Sequence, residues 1–277
     1  MSEIEQRIKN KIEAIGTPLE EWGISINYGI KTGYNEAFII NGHKKDELIS
    51  KDPKSAELIR PILRGRDIKR YSYSYADLYL ICTFPSKHYD IDRFPAIKKH
   101  LLMFGKERLQ QTGERNIING ETIQSRKKTK NKWFETQDSI DYWDDFYKPK
   151  IIFQEMVKSP NFYLDINRNF ICLDTSRIIT GDHLEYLLGL LNSKLFFFAI
   201  KYYYGGGGLG KSGVRMKHTF FEKFYAYVPT IDEENWFKRI NYNQLSNNDM
   251  LKIDEFFYNK YNLTRKEILF IEKSYLV

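Results

Sequence analysis

The residues of this chain whose types and spacing admit chemistry fall into three basic clusters and a run of glycines. Arg60, Arg64, Arg66, Lys69 and Arg70 lie together, with Asp67 among them. Arg126, Lys127, Lys128, Lys130 and Lys132 form a second cluster that ends at Trp133. The third runs from Lys201 through Tyr202, Tyr203 and Tyr204, across the glycines, to Lys211, Arg215 and Lys217, and holds no acidic residue. A DNA duplex carries one negative charge per about 1.7 Å of axis, so a face that holds it needs several cations near the phosphates. Lysines and bare backbone N–H groups suit phosphates, while the arginine fork matches the edge of guanine. Each cluster also has a structural reading. The lysine run fits a solvated loop as well as a DNA-facing one, and Asp67 fits an ion-pair network that orients an arginine.

The glycine run satisfies two nucleotide-binding patterns at once. Gly205, Gly210, Lys211 and Ser212 match the P-loop spacing, and Gly205, Gly207 and Gly210 match the dinucleotide spacing. Both patterns mean something only between a strand and a helix at the start of an α/β unit. The segment before Gly205 reads as helix, and most of the chain after Ser212 also reads as helix, so no parallel sheet is expected. A nucleotide-binding enzyme built on residues 205–212 is kept as the alternative. The preferred reading is a loop in which Tyr203, Tyr204, Gly206, Gly207, Lys211 and Ser212 approach a DNA strand, because glycine lets two backbones come close.

Signatures of catalysis are lacking. Neither N-P-P-Y nor D-P-P-Y occurs, and Glu155 with Lys158 gives E-x-x-K rather than the nuclease spacing E-x-K. The two cysteines, Cys82 and Cys172, make no C-x-x-C pair, and the five histidines make no H-x-x-x-H pair, so no metal site is indicated. Forty-three basic against 36 acidic residues leave a net charge of +7, which permits a polyanionic partner without requiring one. No apolar stretch is long enough to span a bilayer and the N-terminus has no signal-like core, which reads as a cytoplasmic protein with no membrane partner.

The elements that must position these residues read as an α+β fold, a mixed, mostly antiparallel sheet with flanking helices and a helical C-terminal tail. Ile4, Ile8, Ile12 and Ile15 predict an amphipathic helix over 3–15, whose stripe packs on this chain or on a partner. Strands are expected at 25–28, 37–40, 68–71 and 78–82, and helices at 54–62 and 94–109. Residues 113–132 read as a long exposed loop. Apolar runs at 151–157, 162–165, 170–173 and 176–180 suggest an antiparallel meander. One long helix is expected at 183–203. Three more are expected at 233–244, 249–261 and 264–275, with Asn247 or Asn248 capping the second and Thr264 with Glu267 boxing the third. The division is residues 1–230 as one recognition domain and 231–277 as a helical extension.

Several strings carry a resemblance. They are IxxGIKTGYNEAFII ending at Ile40, LIRPILRGRDIKRY from Leu58 to Tyr71, WFETQ at Trp133, FYKPKIIFQEM from Phe146 to Met156, and YLLGLLNSKLFFF from Tyr186 to Phe198. In this order they resemble the TaqI-like C-terminal specificity domain, the target-recognition part of type IIG restriction-modification enzymes and adenine-specific DNA methyltransferases. They are also similar to recognition domains of type I specificity subunits. The resemblance implies a sequence-specific double-stranded DNA recognition module with no catalytic chemistry of its own. It further implies a methyltransferase or endonuclease partner that holds S-adenosylmethionine, with Mg2+ there left open. Gly29, Thr32, Gly33 and Asn35 match the first family motif, and Arg64, Gly65, Asp67, Arg70 and Tyr71 the second, with Tyr34, Arg66 and Lys69 among them also expected at DNA. These are expected at or near DNA, mainly as shaping residues, with base reading falling to the loops 113–132 and 203–217. Relatives usually carry a large N-terminal catalytic part. A separate specificity subunit and a piece of a larger enzyme are both open readings, and an interaction protein that binds no DNA is the third hypothesis.

Overall fold

The apolar run that follows Lys150 lies in a strand buried on both faces. The computed structural model describes residues 1–207 and 213–275. Its main elements, in chain order, are α1 (Glu3–Ile15), β1 (Ile24–Tyr28), α2 (Asn35–Phe38), β2 (Ile39–Asn41), α3 (Gly42–Lys51), β3 (Ile59–Leu63) and β4 (Leu78–Ile81). There follow α4 (Pro95–Leu102), β5 (Arg115–Ile118), β6 (Glu121–Gln124), β7 (Lys150–Gln154), β8 (Phe162–Asp165), β9 (Ile171–Cys172) and β10 (Ser176–Gly181). The chain ends in α5 (Leu184–Leu191), α6 (Lys194–Tyr202), α7 (Ile231–Arg239), α8 (Asn247–Lys260) and α9 (Arg265–Tyr275). This is an α+β fold.

Successive strand residues point to opposite faces, and one sheet uses that alternation to serve two cores. It has the order β8–β7–β10–β1 and is antiparallel throughout. Ile151 and Phe153 of β7, Phe162 of β8 and Ile179 of β10 face one core, with Ile8 and Ile12 of α1, most of α5 and α6, and Phe237, Ile253, Phe257 and Ile271 of the last three helices. Ile152, Tyr163 and Ile178 face the other. There they meet the second sheet, of order β9–β3–β4–β2, with residues of α3 and α4. In that sheet β9 runs parallel to β3 and the remaining pairs are antiparallel. The stripe of α1 therefore packs on its own chain, and Lys11 ties it to the C-terminal helices through Glu267 at 2.7 Å.

Several expected elements are corrected. The helix over 54–62 is a 3-10 turn at Pro53–Glu57 followed by β3, because Ile59, Ile62 and Leu63 meet the second core as strand residues. The helix over 94–109 breaks at Gly105, whose φ is +86°. The loop over 113–132 contains the hairpin β5–β6, turned at Asn119 and Gly120, which both have positive φ as the tight two-residue turn requires. The meander is not sequential, since β7 lies between β8 and β10 and β9 leaves for the second sheet. The helix over 183–203 is two helices. Asn192 stops the first, its side chain bonding both N–H and C=O of Phe162, and the Ser193 hydroxyl caps the second by accepting from Phe196 N–H. Ser246, paired with Asp249, caps α8 in place of the asparagines. Thr264 and Glu267 form the expected box at the start of α9.

Lys150 and Asp165 pair at 2.6 Å with both side chains fully buried where β7 meets β8. The ammonium also donates to Phe146 C=O, and the carboxylate accepts from the Asn169 and Phe170 N–H groups, so the pair closes the turn after β8. Burial pushes the Lys150 pKa down and Asp165 opposes the shift. Removing one partner leaves a buried charge with no counter-ion. Asp165→Ala is expected to cost about 3–5 kcal/mol of stability, read as a drop in urea midpoint, whereas a double apolar replacement costs less.

Candidate nucleic-acid interface

The end of β7 and the start of β10 bring distant residues together. Glu155 follows β7 directly. Its N–H donates to Thr175 C=O and its own C=O accepts from Met216 N–H, which fixes its backbone. Its carboxylate accepts from Arg177 Nη2 at 2.5 Å and from Arg215 Nε at 2.8 Å. Burial alone would raise the Glu155 pKa, but the Arg215 hydrogen bond and the Arg177 charge hold it below the usual carboxylate range. It is thus an ionised counter-ion rather than a proton donor. Arg177 is buried, with its guanidinium over the Tyr28 ring at 3.8 Å from the centroid. The exposed ring of Tyr28 meets His218 edge-on. Burial holds the His218 imidazole below its ordinary pKa, against the pull of Glu222.

The rim around this cluster collects members of all three basic groups. Gly65 is packed so tightly against Gln154 and Thr175 that a Cβ there would lie 3.0 Å from Gln154. That places exposed Arg66 beside the end of β7. Asp138 feels the charges of Lys31, Asp174 and Lys127, and Asp174 precedes Thr175. Lys31, Lys127, Lys128, Lys130 and Lys132 are all accessible to solvent. Arg215 is half exposed and anchored only through Nε among the described residues.

Other residues expected at DNA make contacts within the chain. Arg126 is 4% exposed and donates to the carbonyls of Leu109, Thr32, Glu135 and Trp133 at 2.6–2.9 Å. Burial pushes its pKa down to about 10, with Glu135 opposing. Thr32 is buried, and its hydroxyl holds the turn by donating to Asn35 and accepting from Tyr34 N–H. The Tyr34 ring packs on Phe104, and Asn35 is exposed at the start of α2. Gly33, at φ +77°, is hemmed in by Gln137 and Arg126. Arg64 forks onto Asp67 through Nε and Nη2, the ion-pair reading of that cluster. Lys69 donates to Arg66 C=O, and half-buried Lys217 lies over Phe220.

Residues 203–207 also turn inward. Tyr203 donates its hydroxyl to Glu5 C=O and packs on Phe198, while Tyr204 packs on Phe224. A Cβ on Gly206 would lie 2.6 Å from Ile200, and one on Gly207 would lie 2.5 Å from Lys201 C=O. Close approach to the end of α6 is thus one reason these positions need glycine. Lys211 and Ser212 lie outside the described residues. Since α6 precedes Gly205, the strand that a P-loop or dinucleotide fold requires is not there. The residues that sequence reasoning missed are Tyr28, Arg177 and Glu155. The one signal for them is Arg177, a charge inside an apolar strand run.

The model of the TaqI-like C-terminal specificity domain matches residues 60–208, more than half of the chain, and the chain belongs to that family. The match takes in three of the five strings whole and the second from Arg60 onward, and the IKTGYNEAFII turn lies upstream of it. Among solved structures the chain is similar to the type IIL restriction-modification enzyme MmeI, described in complex with DNA. The identity is 15% and the TM-score 0.57, with 95% of this chain and 37% of that one covered. The type IIG restriction endonuclease BpuSI is 14% identical, with a TM-score of 0.49 and coverage of 91% and 31%. The chain thus spans about a third of the length of these enzymes. No curated protein matches it. Among the described residues no group of side chains is arranged to hold a metal ion, and no helix is long and apolar enough to cross a membrane.

Proposed function

We propose that this chain reads the sequence of double-stranded DNA for a restriction-modification system and directs a methyltransferase or endonuclease, present as a partner subunit or domain, to its target. S-adenosylmethionine, and Mg2+ where cleavage occurs, belong to that partner. The observation that carries the reading is the set of exposed cations, Arg66 and Arg215 at the end of β7 and Lys31 and Lys127 near Asp138, in a chain of the specificity-domain family. Exposed lysines are point charges that suit phosphates, and a planar fork suits a base edge.

The test is binding of the full chain to a randomised duplex pool, followed by a salt titration. Affinity is expected to fall steeply with salt and a preferred site to be enriched. Changing Lys127, Lys128 and Lys130 together to Gln should weaken binding to preferred and scrambled duplexes about equally. It should reduce the slope of log K against log salt by roughly 0.9 for each phosphate no longer neutralised. Salt-independent behaviour with no enrichment would remove the reading.

A further inference from the structure

We propose that Arg215 reads a guanine in the major groove and that Glu155, itself locked by Arg177, is the positioning residue that aims it. The inference rests on the DNA-binding reading above and names the residues that discriminate.

An arginine on a surface wanders among rotamers, and aiming it at a base edge costs entropy. Here that freedom is removed before DNA arrives. The Glu155 carboxylate holds Arg215 at Nε and leaves Nη1 and Nη2 without a partner among the described residues. Those two groups form the end of the fork that matches O6 and N7 of guanine. The neighbouring backbone is fixed as well, since Arg215 pairs with Met156 in a two-residue bridge and its N–H donates to Gly206 C=O. The carboxylate in turn cannot swing away. Arg177 is its second partner, is almost fully buried, and keeps Nε and Nη1 without a hydrogen bond. Releasing Glu155 would strip a buried guanidinium of its only ion-pair partner among the described residues, a costly event. The Tyr28 ring covers the Arg177 face and shares this edge. The result is a relay of Tyr28, Arg177, Glu155 and Arg215, in which Arg215 carries the fork that reaches solvent. Because Glu155 is held below the usual carboxylate range, the relay stays intact at neutral pH.

The experiment uses the full chain and the randomised duplex pool, then the enriched duplex with each base pair changed singly. Arg215→Lys leaves an exposed cation and should not affect folding. It is expected to keep most affinity for scrambled duplex and to lose roughly five- to 150-fold discrimination at one G·C pair. Glu155→Gln should lose discrimination at that same pair, and the double variant should lose little more than either single one, because both act through one contact. Thermal melting checks that each variant folds. Should Glu155→Gln fail to fold, Glu155→Asp keeps the counter-charge for Arg177, draws it back from Arg215, and is expected to give the same loss. Unchanged base preferences in folded Arg215→Lys would overturn the inference while the DNA-binding reading stood. So would additive losses at different base pairs. Failure of the unaltered chain to enrich any duplex would overturn both.

Discussion

Truncation after Thr230 is expected to give a chain that fails to fold, detected as loss of the cooperative urea transition and of native near-ultraviolet circular dichroism. The cut removes Phe237, Ile253, Phe257, Tyr261 and Ile271, all fully buried in the core that also holds Ile8, Ile12 and the inner faces of α5 and α6. Each such side chain contributes about 1.5–3 kcal/mol by leaving water. Five of them come to roughly 7.5–15 kcal/mol, comparable with the roughly 5–15 kcal/mol by which a domain is stable at all. Specific losses add to this. The Tyr261 hydroxyl bridges the Tyr225 carbonyl and the Tyr227 N–H, and Asp254 accepts from Lys194 N–H at the start of α6. A truncated chain that unfolds with an unchanged midpoint would show that the last three helices are an independent attachment.

The helices of that segment are legible in sequence because their signals are local. Thr264 and Glu267 stand three residues apart, and the apolar residues after them have one helical period. Their packing partners are not local. Nothing in residues 231–275 says that their apolar faces close on α1, more than two hundred residues earlier. The same limit explains the broken helix at Asn192. A polar pair inside an apolar run is visible, but its cause, the backbone of Phe162, is thirty residues away. Over 113–132 the signal is present but outweighed, since Asn119 and Gly120 spell a tight turn while the surrounding charge suggests a loop. At the interface, residue type alone suggests that cations meet DNA. It cannot separate Arg126 from Lys127, adjacent in sequence, of which one is buried and the other exposed. Glu155 stands out in sequence only as half of an E-x-x-K spacing that is not the nuclease one, because its partners Arg177 and Arg215 lie 22 and 60 residues away.

Arg126→Ala is expected to lower stability by roughly 5 kcal/mol or more, and Arg126→Lys by nearly as much. Four backbone carbonyls, those of Thr32, Leu109, Trp133 and Glu135, converge on one guanidinium. They come from the turn before α2, the segment after α4 and the stretch around Phe134, so a single side chain fastens three parts of the second core. Its flat face also covers the Phe38 ring at 5.1 Å. Alanine leaves the carbonyls of Thr32, Leu109 and Trp133 without this donor, at about 1–3 kcal/mol each before any relaxation, while that of Glu135 keeps the Gln111 side-chain amide at 3.1 Å. Lysine restores the charge but not the planar fork, and one ammonium cannot reach four carbonyls set around a guanidinium. The measurement that separates this role from DNA contact is a pair of titrations. In urea, the midpoint of Arg126→Ala should drop well below that of the unaltered chain. In DNA, the fraction of protein that remains folded should keep its base preferences and its salt slope, because every phosphate ligand is still in place. A variant with unchanged urea midpoint and a salt slope reduced by about 0.9 would instead make Arg126 a phosphate ligand.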